Sequence, residues 1–246
     1  MTAFDIRKLD ATTSTNEVLR EALVQNSLVH PTVVWAEYQS KGKGQHLKTW
    51  DSQSGKNLTF SVFWSFECLK LSNRFSINQA CCLAVVDALN YFEVPEVAIK
   101  WPNDILSGRM KLAGLLIENN VMSQQINSSI VGIGLNVNQT DFEFLPNASS
   151  VALTLGCSLD RNLLLDKILS CLQSRLEAIE NKSSTSIQSA YESSLYGLGK
   201  WHQFIYKGQL QTGKLMNVDA QGVLHLQWDD GQHEAVENSK SLRWQL

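Results

Sequence analysis

At 246 residues, with 43% apolar and 18% charged side chains, the chain has room for one large domain, or a large domain with a small appendage. A net charge of −3, from 21 basic and 24 acidic residues, argues against nucleic acid as a partner, where a basic patch is expected. Cys68, Cys81, Cys82, Cys157 and Cys171 make an odd set with no Cys-x-x-Cys or Cys/His ligand spacing, which fits reduced thiols and a cytoplasmic location.

Residues 1–10 mix Asp5, Arg7, Lys8 and Asp10, so they form no signal-peptide core, and the chain has no run of about 18 apolar residues for a membrane span. Thr12 to Glu17 reads as a loop entering a helix. Ser14 and Glu17 have the spacing of a capping box, and Val18, Leu19, Ala22 and Leu23 supply an apolar face. Beyond Pro31, the β-branched run 32–36 predicts a strand. The stretch from Gln39 to Trp50, Gln-Ser-Lys-Gly-Lys-Gly-Gln-His-Leu-Lys-Thr-Trp, is a basic loop. Its Gly42 and Gly44 let backbone amides approach an anion, Lys43 brings charge, and Trp50 offers an aromatic face. Taken alone, Gly-Lys-Gly is a weak signal.

A strand is predicted over 58–64 and a helix over 77–89, whose stripe is Ile77, Cys81, Ala84, Val85, Ala88 and Leu89. Strands over 97–101, 112–118 and 126–138 follow. The most informative stretch lies among them: Lys100-Trp101-Pro102-Asn103-Asp104, then Lys111-Leu112-Ala113-Gly114. Pro102 stops a strand and Asn-Asp favours a turn. Lys100, Lys111 and an acid, with Glu118 at the far end of the returning run, are expected to converge on a hairpin-like rim suited to an anion. Gly132-Ile133-Gly134-Leu135-Asn136 ends a strand; lacking a third glycine and a following helix, it is no dinucleotide fingerprint. Ser54-Gly55-Lys56-Asn57 lacks P-loop spacing, and the five scattered histidines suggest no metal site.

Asp160 is placed to cap a helix carrying Leu164, Ile168, Leu172 and Leu176, and a shorter helix is expected over 187–195. From Trp201 the pattern changes to short strands at 209–218, 223–228 and 233–236, parted by Asp219-Ala220-Gln221-Gly222 and Asp229-Asp230-Gly231. The expected architecture is α+β: a mixed-sheet main domain over 1–198 and a small SH3-like β-barrel over 199–246.

Taken together, these motifs resemble those of the biotin–protein ligase family across nearly the whole chain. The resemblance implies that biotin's carboxylate is activated with ATP to biotinyl-5′-AMP, with Mg²⁺ assisting. The biotinyl group then passes to a lysine of a biotin carboxyl carrier domain. It implies biotin contacts at Ser14, Thr15, Asn16, Gln39, Gly42, Lys43, Gly44, Gln45, Lys111, Gly114 and Gly132. Nucleotide contacts are implied at Lys43, Trp50, Lys100, Asn103, Asp104, Lys111 and Asn136. Lys111, Lys43 and Asp104 are the expected catalytic residues, with Asp104 on the Mg²⁺ side. The catalytic loop begins by residue 12, so a form without the N-terminal DNA-binding domain of some relatives is expected. Members include monomers and dimers, so a homodimer stays open.

The basic loop departs from the family pattern. Lys43 stands where arginine is common, Gln45 and His46 where further basic residues or Gln occur, and Leu47 where glycine is usual. Lysine keeps the charge but loses the bidentate fork. Two alternatives stay open: a lipoate–protein ligase, which shares the architecture and chemistry, and, because of this loop, a non-catalytic biotin- or carrier-binding protein.

Overall fold

The computed structural model describes residues 4–28, 31–45, 48–143, 145–181 and 184–245. His46 and Leu47, where the loop sequence departs furthest, lie outside the described residues, as do residues 1–3 and His30.

The larger part is a seven-stranded sheet in the order β1-β2-β3-β7-β6-β5-β4. Its strands are β1 (Asp5–Thr12), β2 (Thr32–Gln39), β3 (Leu58–Lys70), β4 (Val97–Lys100), β5 (Asp104–Ser107), β6 (Met110–Met122) and β7 (Gln125–Leu135). Only β1 and β2 run parallel, joined by helix α1 (Thr15–Val24); the remaining pairs are antiparallel. The sheet is thus mixed, as the alternation of helices with hairpin-like strand pairs implies.

Alternation along the strands sorts the side chains onto two faces. Val33, Trp35, Val62, Trp64, Val131 and Ile133 belong to the main core. That core also takes in α2 (Arg74–Tyr91), α4 (Arg161–Glu180) and α5 (Ser184–Ser193). Helix α2 is buried all round, Cys81 and Cys82 included, and burial pushes both thiols far up from their ordinary range. Asp160 caps α4 as its position suggests, accepting from the Asn162 and Leu163 amides. The opposite face carries Val34, Phe63 and Ile130 against Leu19 of α1. Farther along, it is left open.

The C-terminal part is an antiparallel sheet in the order β11-β10-β9-β8-β12. It comprises β8 (Trp201–Tyr206), β9 (Gln209–Val218), β10 (Leu224–Trp228), β11 (His233–Val236) and β12 (Leu242–Trp244). The sheet does not close into a barrel, since β11 and β12 form separate edges. Its apolar face, with Phe204, Leu215, Leu226 and Trp244, joins the main core.

The expected layout lacks several of these elements, β5, β8 and β12 among them. Strand β1 was not foreseen, because as an edge strand it alternates charged and half-buried residues rather than running apolar. The short α3 (Val151–Leu155), capped by Ser150, was also missed. Ser14 does sit at the N-cap of α1, but its side chain makes no capping hydrogen bond. Glu17 turns away to Lys43 and Arg20, so the expected capping box is not formed.

Candidate active site

The open face is shaped by strand register. Lys100 pairs with Asp104, Asp104 with Gly114, Gly114 with Gly134, Gly134 with Thr59, and Thr59 with Ala36. Residues directly opposite one another share a face, so this is one transverse row across β4-β5-β6-β7-β3-β2. Its charged end is Lys100 and Asp104, and its middle is bare. The next row pairs Leu116, Gly132, Ser61 and Val34.

The bare positions are needed. A Cβ at Gly134 would overlap the Trp50 indole, and a Cβ at Gly132 would overlap the Asn16 amide. The glycines of β7 therefore make the floor on which two contributing residues lie. Among the described residues the buried Trp50 indole N–H finds no acceptor.

Above this floor is a cavity of about 470 Å³. One end is neutral and polar. The Thr15 amide and hydroxyl donate to Gln39 Oε1 at 2.8 and 3.1 Å. Thr15 and Ser61 hydroxyls lie 2.6 Å apart, and Ser61 donates to Asn16 Oδ1 at 2.5 Å. Asn16 Nδ2 in turn donates to Glu118 Oε2 at 2.8 Å. Hydroxyls and amides in mutual register offer both donors and acceptors, as a cyclic urea requires.

The other end is electropositive. Lys111 Nζ lies 2.5 Å from Asp104 Oδ1, and Lys100 Nζ lies 3.7 Å from Oδ2. Burial lowers the Lys100 pKa; Asp104 opposes the shift, while the Lys111 and Lys48 charges add to it. Two ammonium groups thus share one carboxylate with a third cation nearby, a surplus suited to phosphate or carboxylate oxygens. The acid on this rim is Asp104; Glu118, whose convergence here was expected, faces Asn16 and Arg20 instead.

The turn bearing this charge is braced. The Pro102 carbonyl, after a cis Trp101–Pro102 bond, accepts from Asn78 Nδ2 at 2.7 Å and Tyr191 Oη at 2.9 Å. The Asn103 amide donates to the Leu115 carbonyl. The Trp101 indole donates to the Gly222 carbonyl at 3.0 Å, so the C-terminal sheet buttresses the turn.

Mg²⁺ does not find a ready protein site here. Asp104 spends both oxygens on ammonium groups, and among the described residues no group of three His, Cys, Asp or Glu side chains could hold a metal ion.

Residues 9–138, more than half of the chain, match the Biotin/lipoate A/B protein ligase family. The chain belongs to that family. The Mycobacterium tuberculosis Biotin--[acetyl-CoA-carboxylase] ligase is 30% identical over 228 residues, covering 89% of this chain and 83% of that protein. The Bacillus subtilis bifunctional ligase/repressor BirA is 29% identical over 226 residues, covering 90% of this chain and 69% of that protein. The Aquifex aeolicus biotin protein ligase in complex with biotin and ATP superposes with a TM-score of 0.80 at 28% identity, covering 98% of this chain and 99% of that one.

Against this biotin/lipoate ligase background, the cavity gathers most of the residues singled out in the sequence. Ser14, Thr15, Asn16, Gln39, Lys43, Gly44, Gln45, Trp50, Lys100, Asn103, Asp104, Lys111, Gly114 and Gly132 all line it. Gly42 and Asn136 lie outside its lining. Gly42 accepts from the Trp50 amide at 2.9 Å and so shapes the loop. The Asn136 side chain donates to the Ser149 carbonyl at 3.0 Å, holding the segment that leads into α3.

The sequence reading missed one wall. Ser239, Lys240, Arg243 and Trp244, around β12, line the same cavity. A basic pair near the end of the chain was the only sequence signal, and nothing local to it indicates that the segment folds back over the main sheet.

Proposed function

We propose that this protein is an ATP-dependent biotin–protein ligase, with residues 1–198 as the catalytic part and 199–246 as a module that completes the site. The observation that carries this reading is the two-ended cavity. A neutral donor–acceptor cluster around Ser14, Thr15 and Asn16 suits a ureido ring, and a lysine surplus around Asp104 suits the carboxylate and α-phosphate. The two ends share one floor.

In the first half-reaction a carboxylate oxygen of biotin attacks the α-phosphorus of ATP. The new P–O bond gives biotinyl-5′-AMP, and the bond to the β-phosphate breaks to release pyrophosphate. Lys111 lies where negative charge grows, and a fixed ammonium there stabilises the transition state more than the ground state. Lys100 and Lys43 add to the field, and Trp50 supplies an aromatic surface for adenine. In the second half-reaction the acceptor lysine amine, as free base, attacks the acyl carbon. An amide forms, AMP leaves, and the amine proton passes to solvent or phosphate.

Mg²⁺ would arrive on the phosphates of ATP, where it neutralises charge, and not in a cage built by the protein. The acceptor is a biotin carboxyl carrier domain, and the compartment is the cytoplasm, consistent with free thiols throughout. Among the described residues no helix is long and apolar enough to cross a membrane.

The direct test is isotope exchange between pyrophosphate and ATP, run with biotin and with lipoate side by side. Exchange that depends on biotin and not lipoate supports this reading. Dependence on lipoate reassigns the substrate, and absence of exchange with either makes the protein a binder.

A further inference from the structure

Lys43 and Lys111 border the same cavity but have different partners. Lys111 is held by Asp104 inside it. Lys43 Nζ instead lies 2.6 Å from Glu17 Oε2, on helix α1. Glu17 Oε1 is bound to Arg20 Nη1 at 2.7 Å, and Arg20 Nη2 reaches Glu118 Oε1 at 2.5 Å. The other Glu118 oxygen accepts from Asn16, on the cavity's polar end. A chain of alternating charges therefore runs outside the cavity wall, from the loop lysine to the amide expected to meet the ureido ring.

We infer that Glu17 is a positioning residue: it holds the Lys43 ammonium in a resting place outside the phosphate path, and an incoming triphosphate must take the lysine from it. The inference rests on the ligase reading for the identity of that anion. Glu17 suits the role on three counts. As the third residue of α1 its carboxylate sits at the positive end of the helix. The hydrogen bonds from Lys43 and Arg20 hold its pKa below the ordinary carboxylate value, so it stays charged. The Lys43 and Glu17 side chains are 47% and 32% exposed, so water and salt weaken the pair enough for exchange. Arg20 keeps Glu118 as a partner when Lys43 departs, which leaves the α1 end of the chain in place. Lysine, with its compact ammonium on a flexible stem, can swing between two anions more readily than a forked guanidinium.

The prediction is a lowered ATP requirement when the holder is neutralised. In Glu17→Gln the KM for ATP in biotin-dependent exchange should fall about two- to five-fold, the scale of an exposed ion pair, with kcat unchanged within about two-fold. Glu17→Asp, which keeps the charge, should stay near the parent. In a Lys43→Met background, Glu17→Gln should leave KM unaltered. An unchanged or raised KM in the single variant overturns the inference. So does an equal fall in both backgrounds, which would mark a helix-end effect. Equilibrium dialysis of ATP, with and without biotin, separates this from the ligase reading. If the parent shows no biotin-dependent exchange, the ligase reading fails; the Glu17 assignment then stands only if Glu17→Gln still binds ATP more tightly. If exchange is present and the variant binds ATP no more tightly, the Glu17 assignment fails alone.

Discussion

Lys111 and Lys43 border one cavity, yet one stands on a strand and the other on a loop. Lys111 belongs to β6, its amide bonded to the Asn147 carbonyl at 2.7 Å and its ammonium to Asp104 one strand away. Asp104 is fixed by register to Gly114 and Lys100. That end is preorganised, because no backbone has to move to aim its charges. Lys43 follows Gly42 in a loop, with an acid from a separate helix as its partner. In the proposed ligase reading, charge on the sheet serves the chemistry, which needs fixed dipoles. By the inference drawn for Glu17, charge on the loop serves capture, which needs a group that can change partners.

The largest effect should come from the strand end. Lys111→Ala is expected to lower the exchange rate by about 10²–10³-fold, the scale of losing one preorganised donor to developing charge. Its melting temperature should stay near the parent value, since the side chain is a third exposed. Near-parental exchange would mean that the strand end is not where the anion reacts.

Next comes the glycine floor. Gly132→Ala puts a methyl group into the Asn16 amide and should break its bonds with Ser61 and Glu118. Two such bonds at about 1 kcal/mol each predict a rise of about tenfold or more in the KM for biotin, with a smaller change for ATP. An equal rise for both substrates would show that the two ends are not separate subsites.

A subtler effect concerns pH. Burial lowers the pKa of Lys100 below the ordinary 10.5. As pH rises through that lowered value the cluster loses a charge, and ATP binding should weaken before free lysines titrate. Stability should move the other way: across that window the unfolded chain binds the proton more tightly, so folding strengthens as pH rises. Lys100→Arg keeps its charge throughout and should shift the alkaline rise in KM for ATP upward. A rise at the same pH in both proteins would assign the limb to another group.

The smallest effect should come from the brace. Tyr191→Phe removes one side-chain donor to the Pro102 carbonyl and leaves Asn78 and the weaker Cys82 thiol in place. It should cost about 1 kcal/mol, or roughly 2–4 °C in melting temperature, with exchange retained. A loss of exchange without a loss of stability would make this tyrosine part of the catalytic geometry.

Much of this was legible beforehand because the decisive signals are local. Pro102 after a β-branched run, Asn-Asp on a turn and paired glycines in a strand each reflect backbone limits that neighbouring residues impose. The helix from Asp160 was legible for the same reason: cap and apolar stripe lie in one short window. Partner choice was less legible. Glu17 has capping-box spacing, yet Arg20 one turn along the same helix and Lys43, brought by the fold, outcompete the helix end for it. Glu118, at the far end of the run that Lys111 opens, was expected to converge on the same rim, but it lies opposite Ile130 of β7, where Asn16 and Arg20 of α1 reach it.

The sequence alone determined the alternation of helices and strands, the lysine-bearing turn and the bare glycine positions, because steric and hydrogen-bonding limits act over a few residues. Tertiary structure alone decided that Lys100, Asp104, Gly114 and Gly134 fall in one row, since register is set by pairing between distant strands. It also decided that Lys240 and Arg243 wall the same cavity, since burial of the C-terminal sheet's apolar face against the main core carries that segment over the site.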